Sequence, residues 1–438
     1  ADTAAPPDQT SLGDLKWFQI FKDPKLQDLI RTALVQNYDV RQAVDREFES
    51  RANLGITRSN QLPQISGGAN FTSTALSEQG QFVFPPTLPP GFFIARVRNF
   101  GTLMLNLASF EVDIWGKLRR ATEAARANLL ASEDARKAVI VTLVGDVSTN
   151  YFDLLELDSE LEIAKRTLAT RQESLRLIKL QQQNGVASTL DVRQGEELVY
   201  TAAVAVPNIE LEIEQTENAI HLLLGEDPGA VARGRALVDQ EQPPWVPAGL
   251  PSKLLERRPD IQAAEQNLIA ANANIGVARA QYFPDISLTG FLGSEASQLA
   301  KFLIGPTTAW NFVPQVTQPI FNGGRIKSNV KLAQAEHEEM LALYEKSIHT
   351  AFSEVSDSLV QVRKIREVRI QQELLVAAVR DRARLSYMRY RGGVDTLLNA
   401  LDADRELFSN ELLLAQDRRN EMLALVQLYK ALGGGWQQ

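Results

Sequence analysis

The fold is decided by residues 256–288, which read ERRPDIQAAEQNLIAANANIGVARAQYFPDISL. A strongly helical pattern ends there at a proline and turns at once into alternating apolar and polar residues. A fainter copy, VQNYDVRQAVDREFESRANLGITRSNQLPQIS, occupies residues 35–66, at an offset of 221 positions. The identical residues at this offset include Asp39/Asp260, Gly55/Gly276, Arg58/Arg279 and Pro63/Pro284. We therefore predict an internal duplication, in which each proline ends a helix where the chain enters a strand.

The composition excludes several classes of function. The 438 residues carry 46 basic and 54 acidic side chains, a net charge of −8, so no nucleic-acid partner is expected. The absence of Cys removes disulfides and thiolate chemistry, and it fits an oxidising compartment or a lipid-embedded protein. No catalytic motif occurs, so we expect no enzyme activity, cofactor or metal. The start, ADTAAPPDQT, resembles a mature N-terminus from which an export signal has been removed.

Charged residues are missing from five windows: 59–77, 79–95, 99–110, 286–294 and 302–324. Apolar residues there alternate with small or polar ones, which predicts strands with one apolar face. Uncharged alternating strands are typical of a transmembrane β-barrel wall. The alternative is a water-soluble sandwich with Ser/Thr-rich faces. The windows give two hairpins, about 64–110 and 285–320, and four strands do not close a barrel in lipid, so other copies of the chain must complete it. The sequence has no 18-residue apolar run, so no transmembrane helix is predicted.

Two helices are too long for an ordinary globular core. The pattern is helical from 116 to 184 and from 325 to 391, against a usual length of about 12 residues. Apolar residues recur every seven positions, which predicts supercoiling against neighbours: Val147, Leu154, Leu161, Leu168 and Leu175, then Leu341, Ile348, Val355 and Val362. Each helix ends at a glycine turn, and a second helix returns, over 188–224 and 394–432. A soluble coiled-coil scaffold would explain the heptads but not the charge-free strands.

These elements define three parts of the chain. The first repeat is 1–225, with an N-terminal segment, a helix, the hairpin, the long helix and the returning helix. A linker occupies 226–250, and the second repeat, 251–438, has the same order followed by a C-terminal segment. The later elements match at an offset of 208, as in Gly185/Gly393 and Gly225/Gly433, because the second hairpin is shorter.

Several motifs occur in the order expected for one family. They are LLERRPDIQAAEQNLIAANANIGVARAQYFPDISLTG (254–290), EVDIWGKLR (111–119), PIFNGGRIK (319–327) and WFQIFKDPKL (17–26). With these motifs the chain resembles the TolC family of outer-membrane efflux ducts, and within it the OprM-like branch. Members of that branch commonly begin with a lipidated Cys, which this sequence does not contain, so lipidation of the native N-terminus stays open.

The resemblance implies a mixed α/β membrane protein and a passive conduit. Three protomers would each give four strands to a twelve-stranded β-barrel in the Gram-negative outer membrane, continued by a long periplasmic α-helical coiled-coil barrel. The linker 226–250 would be an equatorial linker, in a mixed region formed with the N- and C-terminal segments. The implied partners of this homotrimer are outer-membrane lipid, a periplasmic adaptor (membrane fusion protein) and an inner-membrane transporter of the resistance-nodulation-division type. Its expected function is the outer-membrane channel of a tripartite efflux system for drugs and other toxic small molecules. A duct for type I protein secretion is the alternative.

The resemblance also implies where the periplasmic end narrows. Leu398, Asp402 and Arg405 share one face of a helix at i, i+4 and i+7. Leu398 and Asp402 match the family's constriction, with Arg405 and Tyr390 as partners that hold it shut. Three converging carboxylates repel unless they are paired or hydrated, and such a ring favours cations. The alternative for these residues is a solvated helix face with ordinary Asp–Arg pairing.

The other hairpin and the turns complete the implied site. Asp191 matches a clamp aspartate of the family, but Asp395 stands where TolC itself has an Arg, so a clamp between these two residues is not assumed. The hairpin tips are the expected adaptor contacts, although simple turn chemistry is sufficient to explain them: Asn184, Gly185, Val186, Gly392, Gly393 and Val394.

Overall fold

The computed structural model describes residues 15–75, 77, 97–240, 251–298, 301–302 and 306–436. The charge-free window 79–95 lies outside these residues, as do most of the connection between the first two strands and parts of the terminal and linker segments assigned above. The helices are α1 (Trp17–Ile20), α2 (Pro24–Gln36), α3 (Tyr38–Ser59), α4 (Lys117–Gln183), α5 (Thr189–Leu224), α6 (Pro251–Arg257), α7 (Pro259–Ala280), α8 (Arg325–Arg391) and α9 (Leu397–Ala431). The strands are β1 (Ile65–Ala75), β2 (Val97–Glu111), β3 (Asp285–Ala296) and β4 (Thr308–Thr317).

The four strands form one antiparallel sheet in the order β1-β2-β3-β4. The register places the apolar residues of neighbouring strands side by side on one face, as in Ala69 opposite Leu103 and Leu292 opposite Trp310. The other face is largely polar, with Ser66 opposite Asn106. Because side chains alternate along a strand, this pairing gives the sheet one apolar and one polar surface. Large apolar side chains such as Trp310, which is 73% exposed, remain uncovered within the protomer.

The sheet is entered in the same way in both halves of the chain. The last turns before the strands close with i→i−3 backbone bonds, from the N–H groups of 60–62 in one half and 281–283 in the other. The helices α3 and α7 therefore end four residues before Pro63 and Pro284, and the proline follows a tightened turn rather than ending the helix directly.

The chain divides into two compact units. One contains the described parts of Ala1–Glu47, Ala131–Glu265 and Leu343–Gln438, and the other contains those of Phe48–Leu130 and Gln266–Ala342. Each unit takes segments from both halves of the sequence, so the units are not the predicted repeats. The division of the chain into two repeats stays a prediction about its internal duplication.

The larger unit holds the main apolar core. Fully buried side chains from α2, α4, α5 and α9 meet there, among them Leu26, Tyr151, Leu154 and Ile220. Each of the nine heptad residues predicted in the long helices is buried or half-buried in the protomer, as expected for helices that pack along a seven-residue stripe. In the unit with the sheet, small residues let α4 and α7 approach closely, and Ala124, Ala127, Ala270 and Ala273 form a buried cluster.

One described helix, α4, contains an 18-residue window that is apolar enough to cross a membrane by length and composition. Of this window, 61% is buried inside the protein. A core helix of a soluble domain has the same property, so the window is explained by packing in the core.

Candidate functional site

Two glycine turns close the hairpins α4–α5 and α8–α9. In the first, Val186 N–H donates to Gln181 O at 2.8 Å and Gly185 N–H donates to Gln182 O at 2.9 Å. In the second, Val394 N–H donates to Arg389 O at 3.1 Å and Gly393 N–H to Tyr390 O at 2.9 Å. Both are Schellman motifs, which end a helix with one residue in the left-handed conformation.

The glycines of these turns have the backbone angles that the motif needs. The φ values are 75° at Gly185 and 71° at Gly393, a region that residues with a Cβ adopt only at a cost. Val186 and Val394, the residues that follow, are 77% and 65% exposed. An open groove of about 400 Å³ runs beside the first turn, between α4 and α8, and its walls include Asn184, Val186, Tyr390 and Leu397. The predicted tip residues therefore lie at two turns of the same geometry.

Tyr390 connects the two hairpins. Its hydroxyl donates to Gln181 Oε1 at 2.8 Å, from α8 to α4. Burial raises the pKa of Tyr390, and the negative charge of Asp191 raises it further, so these two predicted residues are neighbours. The Asp191 carboxylate accepts from the N–H and the hydroxyl of Ser188, at 2.7 and 2.8 Å, and caps the start of α5.

Asp395 has a different set of partners. It accepts from Asn399 Nδ2 at 2.6 Å, from Thr396 N–H at 2.8 Å and from Arg389 Nε at 3.1 Å. These hydrogen bonds, of which the one from Asn399 is the largest influence, lower the pKa of Asp395. Each contact is local to the α8–α9 turn, and the structure does not bring Asp395 to Asp191.

The predicted constriction residues share an exposed face of α9. The side chain of Asp402 is 55% exposed, and Leu398 is 53% exposed. Arg405 lies between two acids, with Nη1 at 3.5 Å from Asp402 and Nη2 at 3.6 Å from Glu197 on α5. These are long, solvated ion pairs, so the protomer by itself leaves Leu398 and Asp402 open for further contacts.

The sequence did not reveal a buried ion pair beneath this face. Arg171 Nε of α4 donates to Asp404 Oδ2 of α9 at 2.6 Å, and its side chain is only 2% exposed. Its Nη1 also donates to Leu198 O of α5 at 3.0 Å, and the guanidinium lies 5.0 Å from the centre of the Phe408 ring. Asp404 falls on the buried stripe of α9 with Leu397, Ala400, Leu401 and Phe408. An acidic residue at a position with this apolar spacing could have indicated from the sequence that a buried carboxylate needs a basic partner.

Comparisons with known proteins identify the class. The family described as Outer membrane efflux protein matches residues 29–226 and 250–434. The chain is 38% identical over 427 residues to the toluene efflux pump outer membrane protein TtgC of Pseudomonas putida, covering 96% of this chain and 85% of that protein. It is 34% identical over 423 residues to the cation efflux system protein CusC of Escherichia coli, covering 96% and 88%.

Solved structures of outer-membrane channels have the same fold as this chain. The open state of the MtrE outer membrane channel of Neisseria gonorrhoeae superimposes with a TM-score of 0.88 at 32% identity, covering 100% of this chain and 94% of that one. A structure of CusC gives 0.86 at 31% identity, with 99% of both chains covered. The chain belongs to the Outer membrane efflux protein family. It is an outer-membrane efflux channel protein whose helices extend into the periplasm, and the predicted family, fold class and localisation are confirmed.

Proposed function

We propose that the chain forms a homotrimeric passive duct that exports small toxic molecules and is closed at its periplasmic end by α9. The observation that carries this proposal is the exposed pair Leu398 and Asp402 on one face of α9. A threefold axis beside that face would bring three leucines and three carboxylates together. Within the described residues no group of His, Asp and Glu has the geometry to hold a metal, and we propose that the duct has no catalytic step.

The four-stranded sheet supports the trimer. Its outer strands, β1 and β4, each leave one edge unpaired within the described protomer, and unpaired strand edges are not tolerated in lipid. Pairing β4 of one copy with β1 of the next satisfies both edges, and three copies then give twelve strands. The apolar face would contact lipid and the polar face would line the channel.

The partners are inferred from the tips and from the class. The exposed Val186 and Val394 give two apolar contacts on equivalent turns, beside the groove that contains Tyr390. We propose that these tips bind a periplasmic adaptor, which couples the duct to an inner-membrane pump of the resistance-nodulation-division type. The relatives above are named for efflux, and this favours small-molecule export over protein secretion.

The duplicated organisation is also proposed. Schellman motifs end α4, α5, α8 and α9, with glycines at positive φ at positions 185, 225, 393 and 433. Both pairs keep the offset of 208, so the helix ends match between the halves. We propose that 1–225 and 251–438 are two structural repeats joined by 226–250.

The test is single-channel conductance in planar bilayers. We expect the wild type to give small, mostly closed pores. The Asp402→Ala variant should give wider pores, because each Arg405 then loses one of its two acidic neighbours and keeps only Glu197, so the three arginines repel each other more strongly. Cation selectivity, measured from the reversal potential in a salt gradient, should fall in the same variant.

Asp381→Ala is the matched control. This acid lies on α8, is 57% exposed and is paired with Arg384, three residues away, so its removal should leave conductance and selectivity unchanged. If Asp402→Ala keeps the wild-type conductance and selectivity, the closure lies elsewhere. If no channel is observed from folded wild-type protein, the duct itself is refuted.

A further inference from the structure

Four helix ends meet at one end of the sheet. Gln61 Nε2, after α3, donates to Thr122 Oγ1 of α4 at 2.6 Å. Trp115 Nε1, before α4, donates to Pro284 O, after α7, at 2.9 Å. Asn329 Nδ2 of α8 donates to Gln281 Oε1 at 3.0 Å. These bonds join the ends of α3 and α7 to the starts of α4 and α8, so the short segments between helices and strands form one structure.

This structure is strongly basic. Segments 52–62, 112–120, 274–284 and 318–332 contain eight basic residues and one acidic residue, Asp113, and three further acids, Glu111, Glu123 and Asp285, border them. The whole chain has the opposite sign, with a net charge of −8. We call these eight residues the basic collar: Arg58, Lys117, Arg119, Arg120, Arg279, Arg325, Lys327 and Lys331.

Only part of the collar is neutralised inside the protomer. Lys117 bonds Glu111 at 3.1 Å, Arg119 bonds Asp113 at 3.3 Å, and Arg120 bonds Glu123 at 2.6 Å. The other five residues, Arg58, Arg279, Arg325, Lys327 and Lys331, are exposed and have no acid within ion-pair distance in the part of the chain that the structure describes.

The placement of the charges at α4 and α8 is unfavourable for folding. Both helices begin with basic residues and have no acidic residue in the first turn. At α4 the Asp113 carboxylate accepts from the N–H groups of Leu118 and Arg119 and offsets this charge, whereas no acid lies within ion-pair distance of Arg325 at the described start of α8. The positive end of the helix dipole lies at the N-terminus, where it repels basic side chains and is stabilised by acidic side chains. Lys327 and Lys331 also lie four residues apart on one helix face, where like charges repel. Helix stability therefore does not explain the three basic residues at the start of α8, and a negatively charged partner would.

The neighbouring side chains indicate what the partner is. The rings of Trp115 and Phe283 stack at 4.6 Å between centroids, and each is 46% exposed. The apolar face of the sheet begins immediately beyond them, with Ile65 69% exposed. Aromatic side chains next to an apolar strand face mark the boundary between membrane and water. Because the helices extend into the periplasm, this boundary lies at the periplasmic leaflet.

We propose that the basic collar binds the phosphodiester headgroups of anionic phospholipids in the periplasmic leaflet of the outer membrane. The aromatic pair and the apolar strand face contact the acyl chains, while the five unpaired collar residues contact the phosphates. The interaction fixes the depth of the channel in the membrane, independently of the adaptor and the pump.

The test compares two lipids with the same acyl chains, phosphatidylglycerol and phosphatidylcholine. Each is titrated into the purified trimer in neutral detergent, and native mass spectrometry counts the lipid retained. The collar variant is Arg325→Gln/Lys327→Gln/Lys331→Gln. Its matched control is Arg363→Gln/Lys364→Gln/Arg366→Gln, which removes three exposed charges from the same helix far from the collar. A third variant, Lys327→Arg/Lys331→Arg, keeps the charge.

We expect the wild type, the control and the charge-conserving variant to prefer phosphatidylglycerol, and the collar variant to lose at least about fivefold of that preference. Raising the salt concentration should weaken retention of phosphatidylglycerol by the wild type, because exposed charges are screened. The salt titration tests the proposal even if the collar variant does not assemble. Equal loss in the control, an unchanged preference in the collar variant, or salt-independent retention would each overturn the proposal.

Discussion

Replacing Arg171 with Met should loosen α9 locally. Arg171 is 2% exposed, and its partner Asp404 has a side chain that is 12% exposed. Removing one member of such a pair leaves a buried charge without a partner, which costs about 3–5 kcal/mol. The Asp404 carboxylate retains slight access to water, so we expect the lower end, about 3 kcal/mol. The variant also leaves Leu198 O without the donor that reaches it at 3.0 Å.

The assay is native-state hydrogen exchange at the α9 amides between Leu401 and Phe408. A local loss of about 3 kcal/mol corresponds to roughly 100-fold faster exchange. The double variant Arg171→Met/Asp404→Leu replaces the pair with apolar groups of similar volume, and it should return close to wild-type exchange. The exposed Arg176→Met in α4 is the control, because Arg176 pairs with Glu173 at the surface.

Two results would refute this reasoning. If Arg171→Met exchanges at the wild-type rate, the ion pair does not hold α9. If the double variant exchanges as fast as the single one, the effect comes from lost packing of the Arg171 side chain against Phe408, and not from an unpaired carboxylate.

Two further predictions concern backbone and pH. Gly185→Ala and Gly393→Ala should each cost about 1–2 kcal/mol at the turn, since φ is positive there. Faster hydrogen exchange of the Val186 and Val394 amides measures this loss of local stability. The control is Gly55→Ala in α3, which should not increase exchange because nothing lies within 4 Å of the added Cβ. Burial and neighbouring Glu160 raise the pKa of Glu156 from 4.5 to about 8. The folded state therefore holds the proton more tightly, so stability should fall as pH rises from about 4.5 to about 8. Glu156→Gln should flatten that slope in thermal unfolding, and an unchanged slope would contradict the assignment.

The main elements could be read from the sequence because their signals are local. The helix predicted over 116–184 is observed as Lys117–Gln183, and the one over 325–391 has those same bounds. A seven-residue apolar repeat and a glycine stop are properties of neighbouring residues, so they need no knowledge of the rest of the fold. The strands were indicated by alternating apolar and polar residues and by the absence of charged residues, which are also local properties of the sequence.

The contacts between elements could not be predicted. The bond from Tyr390 to Gln181 joins residues 209 positions apart, and the bond from Arg171 to Asp404 joins residues 233 apart. The irregularity in pairing between Leu107 and Phe110 of β2 also depends on how β3 packs beside it. Periodicity places Asp404 on the buried stripe of α9, but it does not say which helix supplies the matching cation.

The two hairpin tips differ in how the next helix begins. Their backbone turns are equivalent, but the helices that follow begin differently. The start of α5 is fixed by the reciprocal bonds of Ser188 and Asp191. Thr396 makes no side-chain cap at the start of α9, where Asp395 instead bonds exposed neighbours. Capping bonds stabilise a helix start by about 1 kcal/mol.

The helix with the weaker start is also the one that carries Leu398 and Asp402. We therefore expect α8–α9 to be the hairpin that moves when the proposed aperture opens, and α4–α5 to be the fixed one. Tyr390 and Arg171 connect the two hairpins near this end, alongside the long ion pair from Arg405 to Glu197. The hydrogen bond of Tyr390 is uncharged and only part-buried, so it should break before the buried ion pair of Arg171, which should set how far α9 can separate.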